Sequence, residues 1–137
     1  LFTIARSALV REVILPALKA GKFVVCDRYL PSMHAYQGWN TKISWQLINT
    51  LFECTGGIEP WQVIYIDIPV DVSLQRRASE GRAADGLDPV DREYLLRVHD
   101  YYVNFVITEQ WAVVDGNRCQ LDVFRDVLGT LNAVLGL

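Results

Sequence analysis

QVIYIDIPVDVSLQRRAS, residues 62–79, reads as one strand running straight into one helix. Gln62–Ile68 is apolar at nearly every position up to Asp67, which suits a strand covered on both faces better than one with a wet side. Pro69 has no N–H to give to a ladder, so the strand ends there. Val70–Ser79 follows as a helix. A buried strand handed directly to a helix is the building unit of a parallel sheet.

The pattern repeats outward from this stretch. Phe23–Cys26 and Trp111–Val114 are two more short apolar runs, each read as a buried strand. Residues 1–20 have helical apolar spacing, with Leu1, Phe2, Ala5, Leu9, Val13 and Leu18 approximating one face. Pro16 should kink or weaken that helix and Gly21 should stop it. Ile43–Phe52, Asp91–Gln110 and Leu121–Leu135 complete the helices. The order α-β-α-β-α-α-β-α predicts an α/β fold, three-layered α/β/α around a parallel sheet. Ligands of such sheets bind beyond the carboxyl ends of the strands. All three predicted strands end near an acid: Asp27, Asp67 and Asp115.

The bulk numbers narrow the class. A chain of 137 residues that is 51% hydrophobic and 21% charged is one globular domain, neither disordered nor fibrous. A net charge of −3 gives no support for nucleic-acid binding, and no apolar run reaches the ~20 residues of a membrane span. Cys26, Cys54 and Cys119 are far apart and form no metal motif, as expected of reduced, mostly buried thiols in the cytoplasm. The chain opens on LFTIARSALV without Met or a signal peptide, and so reads as cut at its start.

Several residue groups carry chemistry. Asp27-Arg28 ends the first predicted strand, where a carboxylate can hold Mg²⁺ through its water shell and an Arg can bridge phosphates. Taken alone, the pair reads first as a strand end meeting water. Phe2 and Arg6, at i and i+4, offer a ring and a guanidinium on one helix face, enough to hold a planar base. They also suit a core Phe under a surface Arg. Ser32, Tyr36 and Gln37 would line a small-molecule site or form a polar turn, with Pro31 opening a helix beneath Ser32 and Tyr36. His34 reads as a surface histidine, having no ligand-spaced partner for a metal. The polar stretch EGRAADGLDP, residues 80–89, is a loop, and Arg76, Arg77, Arg82, Asp85 and Asp88 lie in or beside it. The stripe Tyr94, Leu95, Val98, Tyr101, Tyr102 and Phe105 reads as core.

The order of these motifs resembles the thymidylate kinase family of P-loop nucleoside-monophosphate kinases. Phe2-x-x-x-Arg6, VILPAL (13–18), VVCDRYLPSMHAYQG (24–38) and PWQVIYIDIPVDVSLQRR (60–77) follow one another as in that family. The likeness runs to about residue 116, and DRYLPSMHAYQG is its most specific part. It implies a cytoplasmic enzyme, dimeric in the usual case, that transfers phosphate from ATP to dTMP with Mg²⁺, giving dTDP. In that likeness Phe2 stacks on thymine, Arg6 hydrogen-bonds its O4, and Ser32 and Gln37 line the base pocket. Tyr36 presses on the sugar where a ribose carries its 2′-OH. Asp27 serves Mg²⁺ and the acceptor, Arg28 binds phosphates, and Arg82 joins them as a catalytic residue. Arg76, Arg77, Asp85 and Asp88 belong to the lid (80–89), and Asp115 and Asn117 to the adenine loop.

Three departures accompany the likeness. No GxxxxGK[ST] occurs in the 137 residues, as if the first strand and phosphate-loop helix were absent from a single incomplete domain. The isolated chain would then be inactive. The family's lid Asp-Arg-x-Glu is matched by Asp85-Gly86-Leu87-Asp88, without the arginine, and residues 39–42 are WNTK in place of glycines. A deoxynucleoside kinase, another nucleoside-monophosphate kinase, and a non-catalytic kinase-derived module remain alternatives.

Overall fold

The computed structural model describes residues 2–38, 43–80 and 92–136 of the chain. They gather into two compact units, Leu1–Pro60 and Trp61–Leu137.

In the first unit, residues 2–19 are helical, as their spacing predicts. The helix is not regular, however. Helix α1 (Phe2–Leu9) passes through a π turn at Val10–Ile14 into α2 (Leu15–Lys19). Pro16 accounts for this: it has no N–H for the carbonyl one turn back and its ring crowds that carbonyl, a conflict that a wider turn relieves. The buried positions are Val10 and Ile14, while Leu9, Val13 and Leu18 are exposed, so the predicted face is displaced. The displacement has a polar cause. The Ser7 hydroxyl donates to the Thr55 carbonyl at 2.9 Å, and Ser7, Val10 and Ile14 share one face at i, i+3 and i+7. That face therefore packs on α4 (Trp45–Cys54). Gly21, at φ +70°, stops the segment as expected, with Lys22 N–H closing on the Ala17 carbonyl at 3.0 Å.

The strand predicted at Phe23–Cys26 does not form. Residues 22–26 belong to no ladder, and Phe23 and Val25 are 77% and 88% exposed. Apolar character alone does not make a strand, because its N–H and C=O groups need a neighbour. Among the described residues the first unit contains no other strand.

Beyond Asp27-Arg28 the chain forms α3 (Leu30–Met33), with Pro31 in its first turn, and a second π turn at His34–Gly38. Helix α4 starts behind Ser44, whose hydroxyl accepts the Leu47 N–H at 3.2 Å. Leu30, Met33, Ile48 and Phe52 form the core here, with the Tyr29 ring edge-on to Phe52 at 5.7 Å. His34 is not at the surface. It is 4% exposed, carried inward between the buried Met33 and Ala35 as α3 enters the π turn.

The second unit contains the sheet. Strand β1 (Ile64–Asp67) runs parallel to β2 (Ala112–Asp115), pairing Ile64 with Ala112 and Asp67 with Asp115. A parallel pair requires a crossover, supplied by α5 (Val70–Ser79) and α6 (Arg92–Glu109). Helix α7 (Gln120–Leu135) packs on β2. Tyr94, Leu95 and Val98 of α6 are buried with Val114, as the stripe predicts. Farther along α6, Tyr102 stacks on Tyr65 of β1 at 5.3 Å and Phe105 meets Trp111 at 5.7 Å. The architecture is thus α/β with a parallel sheet, two-stranded among the described residues. The expected burial of the cysteines fails: Cys26, Cys54 and Cys119 are all exposed, Cys26 because the run that carries it joins no sheet. No helix of the described residues is long and apolar enough to cross a membrane.

Candidate functional site

The sequence-predicted residues fall in both units, and each group has its own geometry. In the first unit, Arg6 projects from α1 onto the Tyr29 ring, with its guanidinium carbon 5.3 Å from the ring centroid. The same guanidinium donates to the Met33 sulfur. Burial pushes the Arg6 pKa down, opposed by Tyr29, and a desolvated cation on a ring face gains more from the contact than a wet one. Tyr29 in turn is pushed up, chiefly by burial.

His34 joins this cluster from below. Burial pushes its pKa down, with the Arg6 charge adding to the effect and the Asn49 side chain of α4 opposing it. A neutral imidazole beside a half-buried guanidinium avoids placing two cations together.

Arg28 makes the second cation–ring contact, over Tyr36 at 5.1 Å. Its backbone is left-handed, at φ +63°, a conformation that costs a side-chain-bearing residue about 1–2 kcal/mol. Asp27 and Arg28 are both exposed, whereas Ser32 and Tyr36 are half-buried. Among the described residues, no group of three or more His, Cys, Asp or Glu is placed to hold a metal ion. A lone exposed carboxylate at Asp27 still fits Mg²⁺ in its usual mode, one carboxylate with the remaining ligands from water and phosphates.

The second unit holds a tightly built turn after β2. Asp115 Oδ1 accepts the Asn117 N–H at 2.8 Å, the hydrogen bond of an Asx turn. Gly116 N–H donates to the Asp67 carbonyl at 2.7 Å, and the Arg76 guanidinium donates to the Gly116 carbonyl at 3.0 Å. Arg118 lies 3.8 Å from Asp115 and also pairs with Asp126 of α7. A β-carbon on Gly116 would come within 2.5 Å of Ile68 and 3.0 Å of the Asp67 carbonyl, so only glycine fits.

Arg77 is half-buried at the end of α5. Arg82, Asp85 and Asp88 lie outside the described residues, as do the side chains of Phe2 and Gln37. Sequence reasoning missed four participants: Tyr29 and Met33 beneath Arg6, Asn49 against His34, and His99, whose Nε2 sits 3.0 Å from Asp67 Oδ1. Only His99 left a signal, as a polar break in the aromatic stripe of α6.

The family model described as thymidylate kinase matches residues 1–127. The chain belongs to the thymidylate kinase family. A thymidylate kinase of Kosmotoga olearia is 39% identical over 131 residues, covering 93% of this chain and 62% of that protein. One from Fervidobacterium nodosum is 31% identical over 137 residues, 98% of this chain and 68% of the relative. A third, from Deinococcus radiodurans, is 36% identical over 121 residues, 86% and 58% respectively. The chain therefore spans roughly two thirds or less of the thymidylate kinases it matches. Both cation–ring pairs lie inside the matched region.

Proposed function

We propose that the protein acts in phosphoryl transfer from ATP to dTMP, giving dTDP and ADP. The observation that supports this best is Arg6, half-buried across the Tyr29 ring and against the Met33 sulfur. A guanidinium held in that way has donors left for a base carbonyl, and the apolar surround favours a flat pyrimidine over a solvated chain.

The remaining roles follow the family likeness. Phe2 would stack on thymine, Ser32 and Gln37 would line the base, and Tyr36 would close on the deoxyribose. Arg28 would take the acceptor phosphate, with Asp27 beside it for Mg²⁺. The metal would supply charge neutralisation at the phosphates. Asp115 and Asn117 would lie by the adenine, and Arg76, Arg77, Arg82, Asp85 and Asp88 would serve the lid. Phosphoryl transfer needs positioning and charge balance rather than a covalent nucleophile, which is what acids, arginines and rings provide. A homodimer and a cytoplasmic location belong to the same reading.

The 137 residues contain no GxxxxGK[ST], so they hold no such cradle for the ATP β- and γ-phosphates. The test has two arms. The purified chain should be stabilised against heat by dTMP more than by dCMP, UMP or thymidine. With ATP, Mg²⁺ and dTMP it should not approach the 1–100 s⁻¹ typical of kinases. Equal stabilisation by all four ligands would remove the acceptor assignment, and turnover at kinase rates would remove the requirement for a further phosphate loop.

A further inference from the structure

We propose that Arg76 is a positioning residue for the donor side: its guanidinium, donated to the Gly116 carbonyl, sets the Asp115–Asn117 turn against the end of α5. The likeness places Arg76 in the lid, and this assignment gives it a different task. It rests on the reading of that turn as the place where the donor's base lies.

Three features carry it. Gly116 is held at both of its peptide groups, its N–H on the Asp67 carbonyl at 2.7 Å and its C=O on Arg76 at 3.0 Å. Gly116 cannot slide to a new position, since Ile66 and Ile68 close over the place where a β-carbon would stand. Within and next to the turn, Asp115 holds the Asn117 N–H, and Arg118 pairs with Asp115 and Asp126. Arg76 links the turn to α5, forty residues away in sequence. A guanidinium donating to a carbonyl is a charge-assisted hydrogen bond with a fixed direction, so it fixes the plane of the peptide as well as its distance. The peptide plane of Gly116 sets how the Asn117 N–H and side chain emerge, and Asn117 is exposed.

The 137-residue chain, isotopically labelled, supplies the test. The Gly116 carbonyl carbon resonance should move in Arg76→Met, and amide exchange at Gly116 and Asn117 should rise roughly tenfold. Arg76→Lys, which keeps one donor, should restore part of both. Arg125→Met, an exposed change on α7, should leave them alone. Should the methionine variant not fold, Arg76→Gln, with a donor but a shorter reach, gives the same comparison. An unmoved Gly116 carbonyl in the methionine or glutamine variant would overturn the proposal. The functional arm titrates ADP and dTMP separately: Arg76→Met should weaken ADP about tenfold and leave dTMP unchanged. Equal loss of both would make Arg76 merely structural and sink the idea. If ADP leaves the 115–117 amides of the unaltered chain unmoved, the donor-base reading fails, and the carbonyl shift still decides the positioning role.

Discussion

Asp67 and Asp115 are register partners at the carboxyl ends of the two parallel strands, yet their carboxylates take separate sets of donors. Asp67 accepts the Tyr65 hydroxyl at 3.1 Å and faces His99 Nε2 at 3.0 Å. Asp115 accepts Asn117 N–H at 2.8 Å. Two acids on adjacent strand ends repel unless each has donors of its own. His99 is the Asp67 donor that comes from α6, so it also pins that helix to β1.

His99→Leu should therefore destabilise the chain by about 1 kcal/mol, the usual net value of a hydrogen bond. His99→Gln should recover part of the loss. Urea unfolding of the three proteins measures this, and an unshifted midpoint in the leucine variant would show that the contact contributes nothing.

Gly116 and Gly129 make a matched pair of opposite sign. A β-carbon at Gly116 would collide with two isoleucines and the Asp67 carbonyl, whereas one at Gly129 in α7 meets nothing within 4 Å. Gly116→Ala should cost about 1–3 kcal/mol through overpacking. Gly129→Ala should gain about 0.5–1 kcal/mol from helix propensity. Parallel denaturant titrations should move in opposite directions, and a shared direction would contradict the geometry.

These contrasts bear on what the sequence makes legible. The bounds of α5 are readable because Pro69 stops a strand and a polar helix follows at once, so local chemistry decides both ends. The run at 22–26 is not, because apolar residues record a tendency to be covered and say nothing about which neighbour completes a ladder. Arg6 stands out in sequence as one member of an i, i+4 pair. Its observed partners, Tyr29 and Met33, lie well beyond the end of its own helix, Met33 being 27 residues away in sequence, and no local spacing announces them. His34 is the clearest failure. A histidine in a polar stretch looks the same exposed or buried, and its burial depends on a π turn that no residue pattern marks.

Arg28 holds a left-handed backbone with a full side chain, so its strain and its charge can be separated by mutation. Arg28→Gly removes the strain and loses chain stiffness in the unfolded state, two effects of about 1 kcal/mol that nearly cancel. Arg28→Val puts a β-branched residue where it fits worst and should cost about 1–2 kcal/mol more than the glycine. Both should abolish stabilisation by dTMP, since both remove the guanidinium that lies over Tyr36. A valine variant as stable as the glycine variant would remove the strain argument. One that still responds to dTMP would remove the role in binding.

His34 supplies the pH dependence. Its folded pKa lies below the ordinary histidine value, first because it is buried and then because the Arg6 charge acts on it, against the opposing effect of the Asn49 side chain. Between that lowered value and the unfolded value of about 6.5, the unfolded chain binds the proton and the folded chain does not. Stability should therefore be full above about pH 6.5, fall as the pH drops through this window, and level off below the folded pKa. His34→Gln keeps a side chain able to hydrogen-bond Asn49 and has nothing to titrate, so its curve should lose that acid slope. Urea midpoints for both proteins across about pH 5 to 8 make the comparison. Parallel curves would mean that His34 takes up its proton as readily folded as unfolded, and the buried, neutral imidazole beside Arg6 would have to be given up.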